Sequence, residues 1–218
     1  MKKISITEKT KVKRLPKRGI YDFESIVKIL DDSFVCHIGF VIDDQPFVIP
    51  TCYGRKKDKI YFHGSVGSRM LRHLKTDSGI CVTVTNVEGI VLARSAFHHS
   101  INYRSVVIFG KADEITDPVE KTNALKIISE QILTGRWNDV RKPNEKELKQ
   151  TSVFSIKLDE ASAKVREGGP VDEDNDMGLN IWAGVLPLET VAKLPVKDKA
   201  LKKDISMPEY IKEYKKRG

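Results

Sequence analysis

The stretch of this 218-residue chain best equipped for chemistry is residues 60–69, IYFHGSVGSR. A strand-like run ends at His63. Gly64, Ser65, Gly67 and Ser68 follow, and a helical pattern opens near Ser68 with Arg69 beside it. Glycines let backbone N–H groups approach an anion closely. Serine hydroxyls and a helix start add donors and positive potential. Arg69 can offer paired donors to phosphate oxygens. The Gly-Lys-Ser/Thr of the triphosphate-binding loop is absent. Two readings therefore stand side by side, a phosphate-binding turn and an ordinary Gly-Ser hairpin. His63 either sits by the ligand of that turn or bonds its own turn.

The other reactive residue types offer less. His98 and His99 are adjacent and would point to opposite faces of a strand, which argues against a shared metal. His37 alternates against an apolar set and reads as a sheet histidine. Cys36, Cys52 and Cys81 are odd in number and lack a CxxC spacing, so neither a disulfide framework nor a structural zinc site is expected. Cys52 has no partner in sequence for a nucleophilic role. Lys164 and Arg166 share one strand face, which reads as solvated or as meeting an anion. No acid–base pair is visible, and no catalytic residue is assigned.

The elements that must position these residues follow from periodicity. Residues 22–32 read as a helix with Asp22 as cap. Residues 33–42, 46–54 and 59–63 read as strands joined by short polar turns, which makes them antiparallel neighbours. A short helix is expected at 68–76 and strands at 79–87, 89–96 and 103–115. Asp117, Pro118 and Glu120 mark the start of a long helix reaching about residue 134. A helical turn at 143–150, strands at 151–158 and 163–166, a polar loop from 168 to 176, an apolar run at 181–188 and a last short helix after Ser206 complete the pattern. Six or more strands with one long helix predict a mainly β fold, an antiparallel barrel with peripheral α-helices.

Charge divides the chain. Residues 1–18 hold eight bases and one acid, and residues 193–218 hold nine bases and four acids; the stretch between them carries a net −4. Dedicated nucleic-acid modules place their bases on a folded face, so nucleic-acid binding is not the expected function, and the tails read as solvated. The division predicted is a basic arm at 1–18, one domain at 19–190 and a Lys-rich tail at 191–218. No apolar run is long enough to span a membrane and the basic start lacks an apolar core. A cytoplasmic protein with reduced thiols is expected.

The segments IPTCYG, IYFHGSVGSR, YRSVVIFGKA with DPVEKTNAL, and IWAGVLPL, in this order over about residues 20–190, resemble the split-barrel flavoproteins related to pyridoxamine 5′-phosphate oxidase. The nearest likeness is to the nitroimidazole-resistance-like branch. The resemblance implies a split antiparallel β-barrel of the FMN-binding type, working as a homodimer with FMN in the groove between two barrels. On the matching segments Ser68 and Arg69 would hold the phosphate, with His63, Gly64 and Ser65 lining the same turn. The backbone of Pro50, Thr51, Cys52 and Tyr53 would run along the flavin edge. Ser105 would stand where the oxidases carry Gln, and Trp182 where they carry a cofactor-side Trp; plain core is the other reading of Trp182. The sequence departs from the oxidases at Met70, at Tyr53, and at residues 185–188, where their Arg-Leu-His is replaced by VLPL. Pyridoxamine-phosphate oxidation itself is therefore not expected. The function implied is an FMN-dependent oxidoreductase acting on nitro or other small electron-poor compounds, with a non-catalytic flavin-binding or storage protein as the alternative.

Overall fold

The computed structural model describes residues 3–214, so the ends of both basic tails lie outside it. Its elements are β1 (Gly19–Ile20), α1 (Phe23–Asp31), β2 (Val35–Ile42), β3 (Gln45–Lys56), β4 (Lys59–Ser65), α2 (Arg69–Leu74) and β5 (Gly79–Leu92). They continue as β6 (Ser100–Lys111), β7 (Asp113–Ile115), α3 (Pro118–Ile132), α4 (Glu145–Gln150), β8 (Thr151–Lys157), β9 (Glu160–Arg166), β10 (Gly184–Pro187) and α5 (Glu209–Lys212). Strand partners run in the order β1-β9-β6-β5-β2-β3-β4-β8-β7, with β10 added to β5, and every pairing is antiparallel. This is the mainly β antiparallel barrel that the alternating apolar runs predict, of the split kind that the family resemblance implies.

Local signals start the helices where expected. The Asp22 carboxylate accepts the Ser25 N–H at 2.8 Å and caps α1, a bond that lowers its pKa. Asp117 accepts from Val119 and Glu120 at 3.0 and 2.8 Å, with Pro118 at the first helical position. The core is filled by alternate strand residues, among them Ile38, Phe40, Tyr53, Phe62, Val82, Ile108, Phe154 and Ile156. Each such apolar side chain contributes about 1.5–3 kcal/mol when fully buried.

Three expectations are corrected. The strands expected at 79–87 and 89–96 are one strand, β5, with a register shift between Val87 and Gly89. The single strand expected at 103–115 breaks after Lys111, because the chain leaves β5 and pairs again with β8 as β7. The N-terminal arm is not wholly solvated. Ile4 sits in the barrel core, Thr10 is buried, and the Ile4 N–H bonds the Tyr21 carbonyl at 2.9 Å. None of the helices among the described residues is long and apolar enough to cross a membrane.

Candidate functional site

β3 has two halves. From Gln45 to Cys52 it is paired with β2 on one side only, and β4 joins its other side from Tyr53 to Lys56. On the opposite bank, His63, Gly64 and Ser65 run past this point and pair with Val153, Ser152 and Thr151 of β8. The barrel is thus split between residues 45–52 and the turn after β4. Pro46 and Pro50 lie on this edge. Lacking an N–H, each must face the unpaired side, and strand alternation puts the N–H of Cys52 and the carbonyls of Pro50 and Cys52 there too. The backbone of Thr51 and Tyr53 points to β2, and the Tyr53 N–H bonds the Phe34 carbonyl at 2.9 Å.

The turn at the other bank is held by its own hydroxyls. Ser65 Oγ accepts the Gly67 N–H at 3.2 Å, the Ser68 N–H bonds the Ser65 carbonyl at 2.9 Å, and Ser68 Oγ receives the Leu71 N–H at 3.5 Å. Both hydroxyls act as acceptors within the turn and keep their protons for an outside acceptor. Gly64 packs closely on α2, since a Cβ there would come 3.0 Å from Leu71 Cδ1. Arg69 is exposed, and its guanidinium carbon sits 4.9 Å from the centre of the Phe47 ring across the split. It forms an ion pair with no carboxylate among the described residues. α2 has only six residues, so the cationic side chain carries the charge argument here.

Other expected residues fall in different places. His63 alternates with Phe62 and shares the face of Val153, the side of the sheet that α3 covers. Its Nδ1 is buried without a partner, and burial lowers its pKa. The Tyr53 ring is fully buried and its hydroxyl donates to the Leu30 carbonyl at 2.5 Å, so only its backbone is near the split. Cys52 is opposite Val35, Pro50 opposite His37, and Thr85 opposite Ser105. Alternation from the His37–Thr83 pair therefore puts Pro50, Cys52 and Ser105 on one outer face of the sheet. Ser105 Oγ donates to the Lys164 carbonyl at 3.2 Å. Trp182 is 66% exposed, which removes the core reading; an added Cβ on Gly184 would lie 3.0 Å from its ring. Burial pushes the Cys36 thiol up to about 12, so it is no nucleophile.

Sequence reading missed two arrangements. Arg166, expected on a solvated face, is buried; it donates to Asn102 Oδ1 and to the carbonyls of Gly168 and Gly169 at 3.2 and 3.0 Å. His73, one turn after Arg69, has its ring centre 5.7 Å from that of Phe40, which stacks on Phe47 at 5.4 Å. The i, i+4 spacing of Arg69 and His73 on one helix face was the signal available.

Comparison with known proteins gives consistent matches. The family profile described as pyridoxamine 5′-phosphate oxidase matches residues 22–165, well over half of the chain. The solved flavocytochrome Anf3 from Azotobacter vinelandii is 36% identical with a TM-score of 0.91, over 96% of this chain and 97% of its own. A FAD and heme binding protein from Mycobacterium smegmatis is 31% identical with a TM-score of 0.85, over 89% and 96%. A candidate 5-nitroimidazole antibiotic resistance protein from Bacteroides thetaiotaomicron VPI-5482 is 24% identical with a TM-score of 0.57, over 67% and 86%, which speaks to the fold. No curated protein matches. With the split, its serine turn and the matched stretch in agreement, the chain belongs to the pyridoxamine 5′-phosphate oxidase family.

Proposed function

We propose that the chain is a flavin-nucleotide oxidoreductase whose cofactor lies in the split between β3 and the turn at 65–69. The observation that carries this reading is Arg69, a cation without a carboxylate partner among the described residues, standing across an unpaired strand edge. The residues present fit a flavin phosphate. Arg69 supplies paired donors, Ser65 and Ser68 supply hydroxyl protons, and the β3 edge supplies the Cys52 N–H and two carbonyls for a polar ring edge. A flavin, when bound, supplies reversible uptake of a hydride or of single electrons. The chain binds, orients and screens it, and no side-chain acid or base is assigned.

FMN is the smallest ligand that satisfies the site; the M. smegmatis relative, named for FAD, makes FAD the alternative. Small electron-poor compounds, nitro compounds included, are the acceptors proposed, and a cytoplasmic setting suits three free thiols. The assembly proposed is a homodimer. The segment after β9 has little regular structure and carries bare apolar side chains, with Trp182, Val191, Leu194 and Val196 all more than 60% exposed. An apolar arm of this kind asks for a covering surface, and a second copy supplies it with two equivalent grooves.

Titration of the purified chain with FMN, FAD and riboflavin tests the site. The two nucleotides should bind at least 10-fold more tightly than riboflavin, and equal affinity for all three would overturn the phosphate turn. Turnover of NAD(P)H with electron-poor acceptors separates an oxidoreductase from a storage protein. Light scattering should give about twice 24.7 kDa.

A further inference from the structure

We propose that Lys164, Arg18 and the Tyr21 hydroxyl, set beside the buried Arg166, form a second phosphate site, which takes the 2′-phosphate of a reduced nicotinamide dinucleotide. The inference rests on the oxidoreductase reading and names its electron donor.

The first observation is a buried charge that nothing cancels. Arg166 is 6% exposed, yet its hydrogen bonds go to neutral acceptors, Asn102 Oδ1 and the carbonyls of Gly168 and Gly169. Its Nε is buried without a partner. Holding down the 168–169 loop uses those bonds and not the charge. A buried cation without a counter-ion is unfavourable and calls for an anion nearby. Burial, and then the neighbouring Arg18 cation, lower the pKa of Arg166, so the fold keeps two guanidinium groups close against their repulsion.

The second observation is the company this charge keeps at the surface. Strand alternation puts Lys164 on the same face of β9 as Arg166, and Gly19 of β1 stands opposite Lys164. A Cβ on Gly19 would lie 3.1 Å from the Tyr21 hydroxyl, so that hydroxyl occupies the same register. It accepts the Val12 N–H at 2.8 Å and keeps its own proton for an outside acceptor. Arg18 and Lys164 are both partly exposed. Among the described residues none of Arg18, Lys164 and Arg166 forms an ion pair, and the adjoining acid, Glu167, is exposed and pairs with none of them. Guanidinium, ammonium and phenol donors gathered in this way suit a phosphate dianion.

The third is placement. Lys164 stands opposite Ser105, so the cluster shares the outer sheet face with Ser105, Pro50 and Cys52. The strand order β9-β6-β5-β2-β3 puts four strand steps between Lys164 and the open edge of β3. At about 4.8 Å per step the separation along the sheet is about 19 Å. That is too far for the flavin phosphate proposed at Arg69, which stands on the other bank of the split. An extended dinucleotide, its hydride-bearing ring at the split and its adenosine end at β9, spans a distance of this order; a small electron-poor acceptor does not.

The test pairs calorimetry on the full chain with turnover of the flavin-loaded chain. Wild type should bind adenosine 2′-monophosphate at least 10-fold more tightly than adenosine 5′-monophosphate, and its KM should be at least 10-fold lower for NADPH than for NADH. Lys164→Ala should lose the calorimetric preference and raise the KM for NADPH toward that for NADH rather than lower kcat. Lys164→Arg should retain most of both preferences, and Lys146→Ala, on α4, should retain them fully. Arg18→Ala should show the same loss and decides the matter if Lys164→Ala does not fold. Equal affinity of wild type for the two monophosphates overturns the site, as does a preference that survives in Lys164→Ala and Arg18→Ala. Equal KM values for the two donors overturn the choice of donor. Flavin is titrated separately, and a chain that takes up no flavin or oxidises neither donor sinks the oxidoreductase reading, a result on which the calorimetry does not depend.

Discussion

The two halves of β3 were built for different purposes. From Tyr53 to Lys56 the strand is paired with β4, keeps one bond to its other side through the Tyr53 N–H, and packs against α3 at Gly54. The Tyr53 hydroxyl bonds the end of α1, Arg55 holds Asp31 through two 2.6 Å contacts, and Gln131 of α3 donates to the Ser33 carbonyl at 2.7 Å. From Gln45 to Cys52 the same strand has one partner, carries two prolines on its free edge and leaves Val48 and Ile49 bare to solvent. A paired edge stabilises; an unpaired edge retains donors and acceptors for a ligand. The lesson is that the proposed site sits where the sheet stops closing on itself, next to the half that is packed shut.

The comparison breaks most severely at Gly54. A Cβ there would lie 2.6 Å from the Ile127 carbonyl of α3, backbone that cannot step aside. Gly54→Val should cost about 3 kcal/mol through overpacking, read as a lower midpoint in urea unfolding. Bound flavin should restore little of it if the two halves act independently.

The open half should respond in the opposite way. Arg69→Ala should weaken flavin-nucleotide binding by on the order of 10–100-fold, since a charge-assisted hydrogen bond contributes about 1.5–3 kcal/mol. Its unfolding midpoint should stay near wild type because the side chain is exposed. Arg69→Lys should recover only part of the affinity, an ammonium having no two-pronged contact. Normal binding by Arg69→Ala would move the phosphate elsewhere.

Ser65→Ala sharpens the same point at smaller scale. It removes the acceptor for the Gly67 N–H and one outward donor, so a loss of about 1 kcal/mol, a few-fold in affinity, is expected in the same titration.

The weakest signal is a slope. Burial lowers the pKa of His63, so the folded chain binds fewer protons there than the unfolded chain, whose imidazole titrates near 6.5. Stability from this group is complete above that value and falls as the pH drops below it. His63→Gln should flatten the pH dependence of unfolding between about pH 7 and 5, and an unaltered slope would show that the imidazole is not held neutral beneath α3.

Much of the fold was legible because alternation and caps are local. Asp22, Asp117 with Pro118, and the runs of β2, β3 and β4 declare themselves within ten residues. The break after Lys111 was not, because what ends β6 is a change of partner to β8. The site divides in the same manner. The serine turn and Arg69 were readable from residue types. The side of the sheet taken by His63 depends on α3, which arrives long after it in sequence. Burial of Arg166 depends on a loop that folds back over it, and the pairing of His73 with Phe40 depends on a hairpin more than twenty residues away.

One consequence concerns birth on the ribosome. Gly64 is held opposite Ser152 and Ser65 opposite Thr151, so the serine turn is translated early but anchored late. Pairings this distant pay their loop-closure entropy before any contact rewards it, and they form slowly. A nascent chain therefore carries every residue of the proposed phosphate turn from residue 69 to residue 151 without owning a pocket. Cofactor capture belongs to the completed polypeptide, and an arrested chain ending before β8 should emerge colourless.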